Sequence, residues 1–159
     1  MKHAAIFVVA LALAGCPHSN EPAPTHPSTP KEVVAGARAT IEQWRQAYQV
    51  KSLDALSKLY VRSLDLVVVQ DGQPLVGWQS VEGMLKDRFA RYKDVVIRLK
   101  DIQVTALDGT SSVATASMTR ELGDGVTTIT ESGALTVVLR KEGDVWLIVA
   151  EHYSYKRST

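Results

Sequence analysis

The sequence predicts one α+β domain in which helices come first and long strands follow. Three segments carry apolar residues at three- and four-residue steps, which is the period of a helix with one buried face. They are interleaved with one short β-branched run and followed by four longer ones, separated by Gly-containing turns. Helices gathered ahead of a run of strands are typical of α+β domains rather than of alternating α/β sheets.

The predicted helices are supported by capping signals. The first begins at Thr29-Pro30-Lys31-Glu32, which has the form of a capping box with proline at the first helical position. Ser52 is the predicted cap of a short second helix, and the third spans residues 77–92. The residues predicted to face inward are Val34, Ala37, Ile41, Trp44 and Tyr48, then Leu53, Leu56, Leu59 and Tyr60, and finally Val81, Leu85, Phe89 and Tyr92.

The predicted strands are bounded by turn residues. The first spans residues 64–70 and ends at Asp71-Gly72. Four longer strands are predicted at residues 95–106, 112–122, 126–139 and 145–155. Turns containing glycine separate the last four, so they are expected to form a meander.

The first sixteen residues have the pattern of a bacterial export signal. Lys2 precedes eleven apolar residues, which are too few for a transmembrane helix of roughly 20 residues. The following Leu13-Ala14-Gly15-Cys16 resembles a lipobox, and this resemblance implies a signal peptide at residues 1–15 and diacylglycerol on Cys16. The alternative is an ordinary secreted protein with a stray cysteine near its cleavage site.

The residue after Cys16 indicates in which membrane of the cell the protein is anchored. Pro17 stands where aspartate usually signals retention in the inner membrane of Gram-negative bacteria, so we expect a cell-envelope protein on the outer membrane, facing the periplasm. Residues 16–30 form the lipidated cysteine and a tether that holds five of the six prolines. Such a segment is extended, and it can hold the domain at residues 31–157 about 40 Å from the bilayer.

The charge pattern and the motifs present disfavour several functions. The net charge is +1, and acidic and basic residues are interspersed without a basic stripe, which disfavours nucleic-acid binding. The sequence has no glycine-rich phosphate loop and no metal-ligand spacing, so neither a cofactor nor a metal is predicted.

The order of the elements and several local markers resemble the nuclear-transport-factor-2-like (NTF2-like) superfamily, in particular its SnoaL-like branch. The markers are Leu59-Tyr60, the segment Leu75-Val76-Gly77-Trp78 and a final hairpin in which Trp146 is followed by His152-Tyr153-Ser154. The resemblance covers residues 31–155. It implies an NTF2-like cone, with three N-terminal helices packed on a curved, mainly antiparallel sheet.

The final hairpin predicts a candidate catalytic pair. If Glu142-Gly143 is a two-residue loop, Gly133 faces His152 and Glu131 lies diagonally within reach of that histidine. A histidine beside a carboxylate can act as a general acid or base, but it can equally be a hydrogen-bonded wall residue. A different loop length would change the register and remove the pair.

Other side chains are candidates for lining a ligand pocket with an apolar bottom and a polar mouth. Arg120 could bind an anionic group, and a surface charge is the alternative for it. The candidate ligand-binding residues are Trp44, Tyr48, Tyr60, Trp78, Phe89, Arg120 and His152.

The last two strands are apolar on both faces, which is unusual for an antiparallel sheet with one wet face. Val138, Leu147 and Val149 therefore need a cover, and pairing through the outer sheet face, which is common in the family, implies a homodimer. Three functions follow: a non-catalytic module that binds a small, largely apolar ligand, an enzyme of the isomerase, dehydratase or hydrolase type using His152 and Glu131, and a dimeric protein-interaction module.

Overall fold

The computed structural model describes residues 28–158. The predicted signal peptide, Cys16 and most of the predicted tether lie outside the described residues. Within residues 28–158, no helix is both long enough and apolar enough to cross a membrane.

The three predicted helices are present: α1 (Pro30–Gln49), α2 (Leu53–Ser57) and α3 (Gly77–Arg91). The capping box is confirmed, because the Thr29 hydroxyl accepts from the Glu32 amide at 3.3 Å while the Glu32 carboxylate accepts from the Thr29 amide at 2.7 Å. The Ser52 hydroxyl caps α2 by accepting from the Ala55 amide. The local sequence therefore determined where the first two helices begin.

Six strands form one sheet: β1 (Val67–Gln70), β2 (Gln73–Val76), β3 (Asp94–Ala106), β4 (Ser111–Gly123), β5 (Thr128–Glu142) and β6 (Val145–Ser158). The sheet order is β2-β1-β6-β5-β4-β3, and only β1 and β6 pair in parallel. The expected α+β cone with a mainly antiparallel sheet is confirmed. The sequence analysis missed β2, a short edge strand that contains Pro74, as edge positions allow.

The core lies between α1 and the inner face of the sheet. Helix α1 contacts β3, β4 and β6, and its residues Ala37, Ile41 and Trp44 are at most 2% exposed. Leu135, Val137 and Leu139 of β5 cover the same core from the sheet side. Alternation along β5 is regular, so the buried side chains share one face.

The predicted register of the final hairpin is wrong. The loop is Gly143-Asp144, because Glu142 pairs with Val145, and Gly143 adopts a φ of 60°. Further along, Leu139 pairs with Ile148 but Val138 pairs with Ala150, so Val149 has no partner and forms a β-bulge.

The bulge reverses which side chains of β6 point inward. Trp146 and Ile148 are buried before it, whereas Glu151 and Tyr153 are buried after it. His152 consequently pairs with Thr136 and is exposed on the outer face, while Gly133 pairs with Tyr155. The one extra residue moved His152 away from the cone interior, since a shift of one position exchanges the two faces of a strand.

Candidate functional site

The interior of the cone holds a group of buried polar side chains. We call Gln70, Arg120, Glu131 and Glu151, together with Tyr60, the polar cluster; each of the five is at most 8% exposed. They reach the interior from β1, β4, β5, β6 and the segment that follows α2. Buried charges are tolerated where partners satisfy them, so the hydrogen bonds of this cluster decide its chemistry.

Arg120 and Arg157 hold Glu131 between them. Arg120 Nε donates to Glu131 Oε2 at 2.7 Å, and Arg157 Nη2 donates to Oε1 at 2.7 Å. Arg157 is half exposed, whereas Arg120 and Glu131 are 1% exposed. Burial by itself lowers the pKa of Arg120, but Tyr48 and Glu131 raise that pKa by more, so the guanidinium stays charged.

Gln70 connects the arginines with the second buried carboxylate. Its Oε1 accepts from Arg88 Nη2 at 2.7 Å and from both Nη atoms of Arg120 at 3.3 Å. Its Nε2 donates to Glu151 Oε1 at 3.5 Å. The amide therefore accepts from two cations on one side and donates to a carboxylate on the other.

Glu151 ends a short chain of hydrogen bonds in the core. Trp44 Nε1 donates to the Tyr60 hydroxyl at 2.6 Å, and that hydroxyl donates to Glu151 Oε2 at 2.5 Å. Burial raises the pKa of Glu151, although Tyr60, Arg120 and Arg88 oppose the change. Burial also raises the pKa of Tyr60 well above its usual value, with the neighbouring Glu151 charge adding to the effect, so the phenol keeps its proton.

Two stacked tyrosines cover Arg120. The rings of Tyr153 and Tyr155 are 4.8 Å apart, and the guanidinium carbon of Arg120 lies 5.0 Å from the centre of the Tyr153 ring. The Tyr153 hydroxyl donates to the backbone oxygens of Met118 and Glu131, and burial raises the pKa of Tyr153 to about 12. The stack fixes the plane of Arg120 against Glu131.

A cavity of about 280 Å³ opens beside this cluster, between α3 and the sheet. Arg88 and Arg91 line it from α3, with Asp87, and Glu131 and Arg157 line it from the sheet. We call this space the arginine cavity.

The remaining wall of the arginine cavity is apolar. It consists of Met84 on α3, Tyr92 just after that helix, and Leu122 near the end of β4. A concave site with an apolar wall and a few converging polar groups is the usual form of a small-molecule site.

The structure separates the residues that the sequence analysis proposed as a site. Glu131 lines the arginine cavity and Arg120 lies directly behind it. Trp44, Tyr48 and Tyr60 are at most 2% exposed and belong to the packed core, and the Phe89 ring packs edge-on against Tyr48. These four rings therefore pack against one another in the core and do not line the arginine cavity.

Trp78 lies elsewhere. Its ring is 5.8 Å from that of Tyr60, and it borders a separate groove of about 540 Å³ at the start of α3, where Arg62 lies over the indole. In the described residues, Trp78 Nε1 has no hydrogen-bond partner.

The proposed pair of His152 and Glu131 does not form. His152 is exposed on the outer face, while both carboxylate oxygens of Glu131 accept from guanidinium groups inside the cone. Between residues 28 and 158, no group of three histidine, cysteine or acidic side chains is arranged to hold a metal.

Several residues of the candidate site were missed by the sequence analysis. Gln70, Arg88, Arg91, Glu151 and Arg157 look like ordinary surface positions in the sequence. Glu151 gave one signal, since it directly follows the apolar run at residues 145–150. Its burial depends on the bulge at Val149, which the sequence pattern did not indicate.

This architecture is that of the NTF2-like superfamily. An NTF2-like superfamily protein from Salmonella enterica matches the structure with a TM-score of 0.73 at 16% identity, over 81% of this chain and 94% of that one. A proposed aromatic ring hydroxylase from Novosphingobium aromaticivorans gives 0.72 at 17% identity, over 82% and 96%. A proposed dehydratase of the NTF2-like family from Streptomyces avermitilis gives 0.69 at 18% identity, over 78% and 96%. At such identities the likeness shows the fold alone.

The chain belongs to the family of SnoaL-like domains, whose sequence model matches residues 37–158. The match covers all six strands and both α2 and α3, together with most of α1. No curated protein matches the sequence significantly.

Proposed function

We propose that this protein is a lipoprotein of the cell envelope whose SnoaL-like domain binds a small molecule in the arginine cavity without transforming it. The carrying observation is the cavity itself, about 280 Å³ with an apolar wall of Met84, Tyr92 and Leu122. That volume suits a small organic molecule rather than a peptide or a nucleic acid. The lipobox pattern at Cys16 supports the envelope location.

The state of the carboxylates supports binding over catalysis. A general base needs a lone pair within hydrogen-bond reach of the substrate proton. Glu131 lines the cavity, but its Oε2 contacts Nε and Nη2 of Arg120 and its Oε1 accepts from Nε and Nη2 of Arg157. These four contacts occupy the lone pairs of the carboxylate, so none is left for a substrate proton. Glu151 is 2% exposed and has partners on both oxygens.

Native mass spectrometry of the full chain, extracted from its host in mild detergent, tests this function. We expect a reproducible non-covalent mass on the folded protein, which denaturation removes. Met84→Trp fills the cavity from α3 and should abolish the extra mass. Leu64→Trp adds similar bulk at an exposed position by the separate groove and should leave it in place. An empty wild-type protein, or a Met84→Trp variant that keeps the mass, would overturn the proposal.

The alternative is an enzyme that uses His152 and Glu131, and solved structures of similar fold include a proposed dehydratase and a proposed hydroxylase. The variant His152→Ala tests whether this chain also transforms its ligand. Because His152 is exposed and lies outside the cavity, we expect the variant to retain the bound mass and to change the free energy of unfolding by less than about 0.5 kcal/mol. Loss of turnover of an identified ligand with affinity intact would instead favour catalysis.

A second candidate function is that of a dimeric interaction module. Val138, Leu147 and Val149 are only half-buried, and Val138 and Leu147 lie on the face opposite Leu139 and Trp146. Apolar side chains on an outer sheet face favour pairing with a second copy. The same mass spectra report the oligomeric state, and Leu147→Glu should convert a dimer into a monomer. A wild-type monomer at micromolar concentration would contradict this proposal.

A further inference from the structure

The charges around the arginine cavity are unbalanced. Arg88, Arg91 and Arg157 line it, Arg120 lies behind it, and the Lys51 ammonium donates to the Tyr92 backbone oxygen at its edge. The carboxylates nearby are Asp87, Glu131 and Glu151, together with Asp71, which acts on the charge of Arg157. Even with all four carboxylates ionised, five cations against four anions leave one positive charge in excess. A partly enclosed positive cavity attracts anions.

We infer that the molecule bound in the arginine cavity is a small, water-soluble organic anion, whose carboxylate or phosphate group is held by Arg88, Arg91 and Arg157. This inference rests on the proposed function and adds the chemical class of the ligand. Guanidinium groups bind such anions through two parallel hydrogen bonds, which gives them geometric selectivity as well as attraction.

The arginines differ in how much of their hydrogen-bonding capacity the protein uses. Arg157 donates to Glu131 and to the Tyr155 hydroxyl, and Arg88 donates to Tyr48 and Gln70. In the part of the chain that the structure describes, neither Arg88 nor Arg91 forms a salt bridge. These two cations on one face of α3 are therefore the cavity arginines that no direct ion pair holds.

The polar cluster holds this arrangement in place before a ligand arrives. Gln70 accepts from Arg88 and from Arg120, and Glu131 accepts from Arg120 and from Arg157. Two of the three cavity arginines are thus fixed through Arg120 to one buried network. Donors that are already oriented lose less conformational entropy when a ligand binds.

The position of the cavity favours a soluble anion over a lipid headgroup of the protein's own membrane. The Lys141 ammonium donates to the Ser28 hydroxyl at 3.1 Å, so the chain enters the domain beside the β5–β6 hairpin. Glu131 lies ten residues away along β5, at the opposite end of the strand. At about 3.3 Å per residue the cavity lies roughly 30 Å from the point where residue 28 enters the domain, which separates it from the end of the proposed tether.

The apolar wall of the cavity narrows the chemical class of the expected ligand further. Met84, Tyr92 and Leu122 face the same space as the arginines, so a ligand with an apolar body buries more surface than an inorganic ion does. Benzoate and phenyl phosphate are suitable probes, because each joins one anionic group to one ring. Benzamide and benzylamine are matched controls that keep the ring and replace the anion with a neutral or a cationic group.

Calorimetric titration of the full chain in detergent, stripped of any bound molecule, tests the inference. We expect benzoate or phenyl phosphate to bind measurably and benzamide and benzylamine to bind at least tenfold more weakly. Arg91→Gln should weaken anion binding at least tenfold, because it removes a charged hydrogen-bond donor from the anion. Arg140→Gln removes the same charge at the hairpin, where Arg140 pairs with Glu142, and should leave affinity unchanged.

The following results would overturn the inference. Equal binding of benzamide and benzoate, or absence of anion binding, would exclude an anion site, and equal weakening by Arg140→Gln would indicate attraction by net charge alone. Displacement of benzoate by phosphatidylglycerol vesicles would make the ligand a lipid headgroup. A neutral molecule found by mass spectrometry would leave the proposed function standing and remove only the anion class, whereas an empty cavity would remove both.

Discussion

Arg120 and Glu131 stand directly opposite each other on β4 and β5, and their side chains form an ion pair in which each partner is 1% exposed. Arg157 approaches the same carboxylate from β6, and Gln70 contacts the Arg120 guanidinium from β1. Four strands are thus linked through one pair of side chains. Such a pair is costly to break, because removal of one partner leaves the other charge buried without compensation.

Glu131→Gln should therefore destabilise the domain by about 3–5 kcal/mol, since it leaves Arg120 buried without its counter-ion. Urea denaturation of the variant measures this loss. The matched control is Glu121→Gln, which breaks the more exposed pair with Arg98 and should cost less than about 1 kcal/mol. The double variant Arg120→Met/Glu131→Leu should lose less than Glu131→Gln. A loss of unfolding free energy that is equally small for Glu131→Gln and Glu121→Gln would contradict this account.

Tyr60→Phe should cost about 1–3 kcal/mol, because it leaves Trp44 Nε1 and Glu151 Oε2 without a shared partner in the core. The thermal unfolding midpoint reports the loss. Tyr155→Phe serves as the control, since within residues 28–158 its hydroxyl accepts from Arg157 alone, on the exposed side of the cluster. A control that destabilises as much as Tyr60→Phe would show that the phenol bridge is unimportant.

Glu151 should make the domain less stable as the pH rises. Burial raises the pKa of this carboxyl above its usual 4.5, so between pH 4.5 and the raised value the folded state binds more protons than the unfolded state does. Its contribution to stability is complete below pH 4.5 and declines as the pH rises through the raised pKa. Glu151→Gln should flatten this part of the profile of unfolding free energy against pH, whatever its effect on absolute stability. A slope that is identical in both proteins would refute the assignment.

Substitution by alanine should change the stability of the domain in opposite directions at two glycines. A Cβ on Gly133 would lie 2.7 Å from the Tyr155 Cα and still closer to the Ser154 carbonyl, and backbone atoms cannot move aside cheaply. We expect Gly133→Ala to cost about 1–3 kcal/mol or more. Gly83 on α3 has open space around its Cβ position, so Gly83→Ala should stabilise the domain by about 1 kcal/mol. Chemical denaturation measures the change in the free energy of unfolding for both variants. Changes of the same sign and size would contradict the register of β5 and β6.

The elements themselves were predictable from the sequence. Capping residues are local signals, so Thr29, Glu32 and Ser52 marked the starts of α1 and α2 correctly. Apolar periodicity likewise placed Ala37, Ile41 and Trp44 in the core. The SnoaL-like assignment, which rested on the order of elements and on markers such as Trp78 and Trp146, is confirmed by the family match.

What the tertiary structure alone decided is which side chains meet inside the cone. One unpaired residue, Val149, moves His152 outward and Glu151 inward, and a bulge depends on strand pairing across the sheet rather than on the residues beside it. The sequence pattern offered Glu131 as a partner of His152 and Arg120 as an anion-binding residue or a surface charge, and it did not indicate that the two pair with each other. They are buried together because Arg157 and Gln70 satisfy them from other strands. The sequence by itself determined the family and the succession of helices and strands, since those follow from local patterns. The candidate site came from long-range pairing, which the local patterns do not encode.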